Sequence, residues 1–189
     1  MSGSLQKNLI LLLLGLAVGL GIGFAGLVFI DEVFPVRAEQ SAVLHPAAAP
    51  VMGSPAPDFS LTTTNGELIQ LSSLRGKPIL LNFWATWCKP CEYEMPLIQE
   101  TFESHSSDLL IIGVNVSEEK EDVQDYLDEY ELTFPVLLDL NHKVSNLYRV
   151  SGIPVSFFID SEGIIQVVQV GTLSKTQLKH NLAQLGVDQ

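Results

Sequence analysis

The chain of 189 residues contains two cysteines, Cys88 and Cys91, spaced C-x-x-C. A pair so spaced can close and reopen a small disulfide ring, which is two-electron redox chemistry on another thiol or disulfide. Other uses fit less well. As a structural cross-link, so short a loop removes little chain entropy and adds little stability. A structural zinc centre wants a full tetrahedral ligand set, yet no second C-x-x-C or paired-histidine motif is present, and His45, His105, His142 and His180 are scattered. Two thiolates with one distant histidine could hold Cu(I), so a copper-carrying metallochaperone is the rival from a different class. No metal site and no cofactor are assigned.

The elements around the pair explain why it would react. Ile79 to Ala85 (ILLNFWA) and Leu109 to Val116 are apolar runs of strand length, of the kind buried inside a sheet. Cys88 follows the first run, and a helix follows Cys88, one face marked by Met95, Ile98 and Phe102. Unpaired N–H groups and the positive end of that helix favour a thiolate at Cys88, with Lys89 adding charge. Cys88 is therefore expected to attack, and Cys91, one turn on and less exposed, to resolve. Pro90 stiffens the turn and opens the helix where its missing N–H is not needed. Val123, Tyr126, Leu127 and Tyr130 mark a second helix, with Ser117 placed to cap it. Val136 to Leu138 reads as a short strand and His142 to Tyr148 as a short helix. Val155 to Ile159 and Ile164 to Val170 form a hairpin across Ser161-Glu162-Gly163. The last helix, Ser174 to Leu185, opens on a Ser174/Gln177 capping box, turns Leu178, Leu182 and Leu185 inward and stops at Gly186. Phe83, Trp84 and Phe157 read as core and Trp87 as the rim of the site. The sum is an α/β layout, a central mixed sheet flanked by helices, with no internal repeat.

The N-terminal quarter is a different material. Leu9 to Ile30 carries no charged or amide side chain, and as a helix it is long enough for a hydrocarbon core about 30 Å thick. The run exceeds the apolar stretch of a cleaved signal, and the weak cleavage candidate Val36-Arg37-Ala38 lies beyond Asp31-Glu32, so a single transmembrane signal-anchor helix is expected. Lys7 before it and the acidic pair after it place residues 1–8 in the cytoplasm and the body of the chain outside, with Arg37 reducing the asymmetry. Residues 31–54, with Pro35, Pro46, Pro50 and the alanines between, read as a tether. The globular part is 55–189. The chain holds 22 acidic against 10 basic residues, nearly all of the excess after residue 54, which disfavours nucleic acid and anionic lipid as partners.

LNFWATWCKPCEYEMP (Leu81 to Pro96), preceded by APDFSL (Ala56 to Leu61) and LRGKP (Leu74 to Pro78), resembles the TlpA/ResA-like branch of the thioredoxin superfamily. Ser151-Gly152-Ile153-Pro154 before VSFFID is similar to the segment that carries the superfamily's cis-proline. The resemblance spans residues 55 to about 185 and implies a thioredoxin fold with extra N-terminal elements. It implies thiol-disulfide exchange on extracytoplasmic proteins, reduction more than oxidation, with Cys88 attacking, Cys91 resolving, Pro154 packed against the pair and Ile153 offering backbone hydrogen bonds to a substrate strand. Trp87, Lys89 and Pro90 would line the substrate side, and Pro96 resembles the fold's helix-kinking proline. The resemblance further implies cell-membrane anchoring, a membrane electron-conduit protein as reductant, and exported disulfide proteins as substrates, apocytochrome c in cytochrome c maturation among them. A disulfide-forming oxidant shares every one of these motifs and differs only in redox poise.

At Asn82, inside the strand before Cys88, thioredoxin has a buried carboxylate; an amide cannot take a proton, so another acid must serve. Glu94, three residues past Cys91, matches the glutamate that TlpA/ResA-like proteins show there, and is the expected relay for the resolving proton. The competing reading is a solvated first-turn acid, which suits Glu92 better. The acid-rich stretch Glu118 to Glu131 reads as the solvated face of its helix. APDFSL also occurs in peroxiredoxins, but Ala85 stands where their P-x3-T-x2-C pattern needs threonine, which disfavours a peroxidase.

Overall fold

The computed structural model describes residues 48–187. The apolar segment 9–30 and most of the tether lie outside the described residues, and within them no helix is long and apolar enough to cross a membrane. The described part forms β1 (Ser60–Thr62), β2 (Leu68–Gln70), a 3-10 turn (Leu71–Leu74), β3 (Ile79–Trp84), α1 (Lys89–Glu92), α2 (Met95–Ser104) and β4 (Leu110–Val116). There follow α3 (Lys120–Glu129), β5 (Val136–Asp139), α4 (Lys143–Leu147), β6 (Val155–Ile159), β7 (Ile165–Val170) and α5 (Lys175–Ala183).

Five strands make one mixed sheet in the order β5-β4-β3-β6-β7. β3 pairs parallel with β4 and antiparallel with β6, so it lies at the centre. Its six residues are all buried, which is why ILLNFW carries no polar alternation. Side-chain alternation nevertheless sorts them. Leu80 and Trp84 join the core under α2, α3 and α5, with Met95, Ile98, Val123, Leu178 and Leu182. Ile79, Leu81 and Phe83 face the other way, into a core closed by Phe59, Val144, Tyr148 and Phe157. Tyr148 packs edge-on to Phe157 at 4.9 Å, and its hydroxyl donates to the Pro57 carbonyl at 2.8 Å. Burial pushes this phenol's pKa up, which keeps it a neutral donor.

The N-terminal elements cover ends of the sheet that would otherwise offer free backbone. β1 and β2 form an antiparallel hairpin, and Thr63 just beyond it bridges Leu137 of β5. Asp58 holds the hairpin to the following turn, accepting from Gln70 Nε2 at 2.6 Å and from Ser72 N and Oγ at 2.8 Å. On the opposite edge Pro55 bridges Ile164.

Two expectations need correction. Ser117 does not cap α3: Glu119 is the N-cap residue, and Ser117 sits at φ 62° with its hydroxyl turned to Leu140 and His142. The helix after Cys88 is two helices, because Pro96 has no N–H for the Glu92 carbonyl and its ring crowds the preceding turn. α1 ends at Glu92 and α2 starts at Met95. The last helix follows its expected signals, with both halves of the Ser174/Gln177 capping box formed and Gly186 at φ 72° past its end.

Candidate active site

β3 stops at Trp84, and the chain turns through Ala85, Thr86 and Trp87 into Cys88, the N-cap of α1. Cys88 and Cys91 are joined as a disulfide with their Cα atoms 5.3 Å apart. The Cys91 N–H donates to Cys88 Sγ at 3.3 Å, the local contact that would steady a thiolate there. In this oxidised state both sulfur-bearing residues are buried, Cys88 only 4% exposed and Cys91 not at all. The expected contrast in exposure is therefore small while the ring is closed.

Lys89 points its charge away from the expected use. Its Nζ lies 2.7 Å from Glu92 Oε2, an exposed pair that raises the lysine's pKa by satisfying the ammonium. Trp87, 67% exposed, stands at the rim as expected. It shares an open groove of about 550 Å³ with Cys88, Pro90, His142, Gly152 and Ile153. The Ile153–Pro154 peptide bond is cis, with Pro154 buried and Ile153 half-buried. All the residues that the motif nominated for substrate contact thus lie along or directly beside one groove.

Glu94 is fully buried, so it is no solvated helix acid. Its N–H donates to the Cys91 carbonyl at 3.0 Å, which sets its backbone one turn on from Cys91. One carboxyl oxygen accepts from Asn82 Nδ2 at 2.8 Å and the other from the Leu173 N–H at 2.6 Å. Burial raises its pKa, and the two hydrogen bonds offset only part of that. The result is a carboxyl poised to hold a proton above the ordinary range. Asn82 Nδ2 also donates to Ser156 Oγ at 2.9 Å, while its Oδ1 is buried with no protein partner. Thr172 Oγ1 donates to the Pro90 carbonyl at 3.1 Å, so the loop between β7 and α5 is tied once to the redox helix and once to Glu94 at the start of α2.

One residue escaped the sequence reading. Glu118 belongs to the acid-rich stretch, yet it accepts from the Thr86 N–H at 2.7 Å, from the Thr86 hydroxyl, and from Asn115 Nδ2 at 2.6 Å. It pins the turn that carries Trp87 and Cys88 to the end of β4. The parallel pairing of Trp84 with Asn115 brings those two strand ends together, and no local spacing announces it. The other acids of the stretch follow the expectation: Val123, Tyr126 and Leu127 are buried and most charges face solvent.

Of the described histidines, His142 shares the groove with Cys88, whereas His105 borders a separate cleft beside Lys175 and His180 is exposed on α5. Among the described residues no group of three or more His, Cys, Asp or Glu converges as a metal would need.

A redox disulfide at a strand-to-helix junction, opposite a cis-proline loop on a five-stranded mixed sheet, defines a thiol-disulfide oxidoreductase of thioredoxin fold. The chain belongs to the AhpC/TSA family, whose model matches residues 52–168. It is 40% identical over 138 residues to the thiol-disulfide oxidoreductase ResA of Geobacillus kaustophilus, covering 72% of this chain and 79% of that protein. It is 41% identical over 127 residues to ResA of Bacillus subtilis, covering 67% and 71%. A solved thiol:disulfide interchange protein of the thioredoxin family from Chlorobium tepidum superposes with a TM-score of 0.62 at 30% identity, covering 71% of this chain and 97% of that one.

Proposed function

We propose that the chain is a membrane-anchored, extracytoplasmic reductase of protein disulfides. The observation that carries the reductive direction is the electrostatics of the pair. A strong oxidant stabilises its reduced, thiolate form. Here Lys89 is taken up by Glu92, and a buried carboxyl, Glu94, lies one turn below Cys91. With the lysine's charge met by Glu92, and a carboxyl whose ionised form would repel a thiolate, the reduced pair gains little beyond the single Cys91 N–H contact and readily gives up its electrons.

In the proposed cycle the Cys88 thiolate attacks one sulfur of a substrate disulfide lying in the groove beside Ile153 and Pro154. A mixed disulfide forms, and the other substrate sulfur leaves. Cys91 then loses its proton, with Glu94 as the receiving carboxyl, and attacks Cys88 Sγ. The substrate departs as a dithiol and Cys88–Cys91 is left oxidised. Asn82 and the Leu173 amide hold the carboxyl in place for that transfer. A membrane electron-conduit protein would restore the dithiol. The apolar run 9–30 supports the anchor, and the charges of Lys7 and Asp31-Glu32 support an outward-facing domain. The resemblance to ResA-like proteins brings apocytochrome c into the set of substrates.

The reduction potential of the pair tests the direction. Titration of the full chain against dithiothreitol should give about −250 mV or below, and a value near about −120 mV would make it an oxidant instead. Labelling by a membrane-impermeant maleimide on intact cells, after reduction, should reach Cys88. Protection until the cells are lysed would overturn the placement.

A further inference from the structure

We infer that His142 is a catalytic acid for the first step, protonating the substrate thiolate that leaves when Cys88 attacks. This rests on the reading of Cys88 as the attacking thiol.

The groove that holds Cys88 contains few groups able to move a proton. Glu94 is buried beneath the pair and serves the second step. Lys89 is bound to Glu92. His142 is exposed and lines the groove with Trp87, Cys88 and Ile153. Imidazole is the side chain best suited to take and release a proton near neutrality. Its charged neighbours are otherwise engaged or turned to solvent. Asp139 at the end of β5 accepts from the Val144 and Ser145 N–H groups, Glu118 at the end of β4 is held by Thr86 and Asn115, and Lys143 is exposed.

The imidazole is also held in place. Ser117 Oγ lies 2.5 Å from His142 Nε2 and 3.3 Å from the Leu140 carbonyl. The hydroxyl has one hydrogen, which the carbonyl can take, so Oγ can accept from Nε2–H. That leaves Nδ1 for the substrate. Both residues adopt left-handed backbone, φ 62° at Ser117 and 54° at His142, and both donate their N–H to the same Asp139 carbonyl at 3.2 Å. Non-glycine residues are seldom found there, and such strain collects where a side chain must be aimed. Two strained residues touching one another at the mouth of the redox groove mark a built feature.

The step balances. The Cys88 thiolate supplies the electron pair for the new S–S bond, the substrate S–S bond breaks, and its outer sulfur leaves with the bonding pair. The imidazolium gives that sulfur a proton and becomes neutral imidazole, which recovers a proton from water.

Leaving-group chemistry tests this. An aromatic disulfide such as 5,5′-dithiobis(2-nitrobenzoate) expels an acidic thiolate that needs no proton, whereas an aliphatic one such as hydroxyethyl disulfide expels a basic thiolate that does. His142→Asn keeps a residue that tolerates left-handed backbone but cannot donate a proton from a cation. In single-turnover oxidation of the pre-reduced full chain, the variant should react with the aromatic disulfide within about twofold of wild type and with the aliphatic one about tenfold or more slower. Ser117→Ala, which unties the ring, should show the same split at smaller size. Equal slowing on both disulfides, or no slowing on either, would overturn the assignment. Failure of the wild-type chain to react with the aromatic disulfide would instead remove the underlying reading of Cys88. Circular dichroism and a cooperative thermal transition like that of wild type report that each variant is folded.

Discussion

With Glu94 replaced by glutamine the protein should gain in stability on wild type as pH rises, while replacement by alanine should damage it. The carboxyl accepts two buried hydrogen bonds, from Asn82 and from Leu173. Alanine removes both acceptors. The Leu173 N–H loses its partner, and a buried donor left unmatched costs about 1–3 kcal/mol. With the space vacated below the pair, Glu94→Ala should lose about 2–4 kcal/mol in all. Glutamine keeps an oxygen for Leu173 but presents an amide to Asn82. Asn82 can answer by turning its own amide, so that Oδ1 accepts from the glutamine and from Ser156, which leaves Nδ2 in the unpartnered place Oδ1 held. One unmatched atom thus replaces another, and the exchange should cost about 1–2 kcal/mol at acid pH, less than alanine does.

The pH dependence follows from the direction of the shift. The folded-state pKa is raised above the ordinary value of 4.5, mainly by burial. Stability from the neutral carboxyl is complete below that ordinary value and is lost as pH rises through the folded one, levelling off above it. Glutamine has no such loss. Urea denaturation of the disulfide-closed chain, followed by the fluorescence of buried Trp84, should show Glu94→Gln gaining on wild type between about pH 4 and pH 8. A constant gap across that range, or a glutamine variant as weak as the alanine one, would refute the reasoning.

Glu118→Ala frees Thr86 and Asn115 together and should lower stability by about 1–3 kcal/mol, measured by thermal unfolding, and slow reaction at Cys88. Gly113→Ala would set a Cβ 2.8 Å from Trp84 Nε1 and 3.1 Å from Phe134, so denaturation should show a loss of about 1–3 kcal/mol. Cys91→Ser should arrest the cycle at the mixed disulfide, visible by mass as a covalent adduct that Cys88→Ser does not form.

The central strands were legible because β3 and β4 are covered on both faces and so read as unbroken apolar runs. The redox pair and Glu94 were legible because a short motif and its spacing carry them. The β1–β2 hairpin was not, since three-residue strands are too short for alternation and Asp58 holds them from outside. Glu118 was hidden by its own neighbourhood: seven other acids share a helical stretch whose apolar period explains them, and its real partners sit on β4 and in the turn after β3. His142 looked scattered in sequence because the parallel crossover from β4 to β5 is what brings it beside Ser117. The break before α2 could be read from Pro96, but that it carries Glu94 off the redox helix could not.

The hydrogen bond from the Leu173 amide to Glu94 gives the enzyme an internal reporter. A short bond to a carboxylate draws the amide proton strongly downfield, and protonation of the acid relaxes it. One backbone resonance, well separated in sequence from the cysteines, should therefore follow the charge of the buried acid through a titration or a turnover. The chemistry at the groove could be watched in a two-dimensional spectrum without a probe at either sulfur.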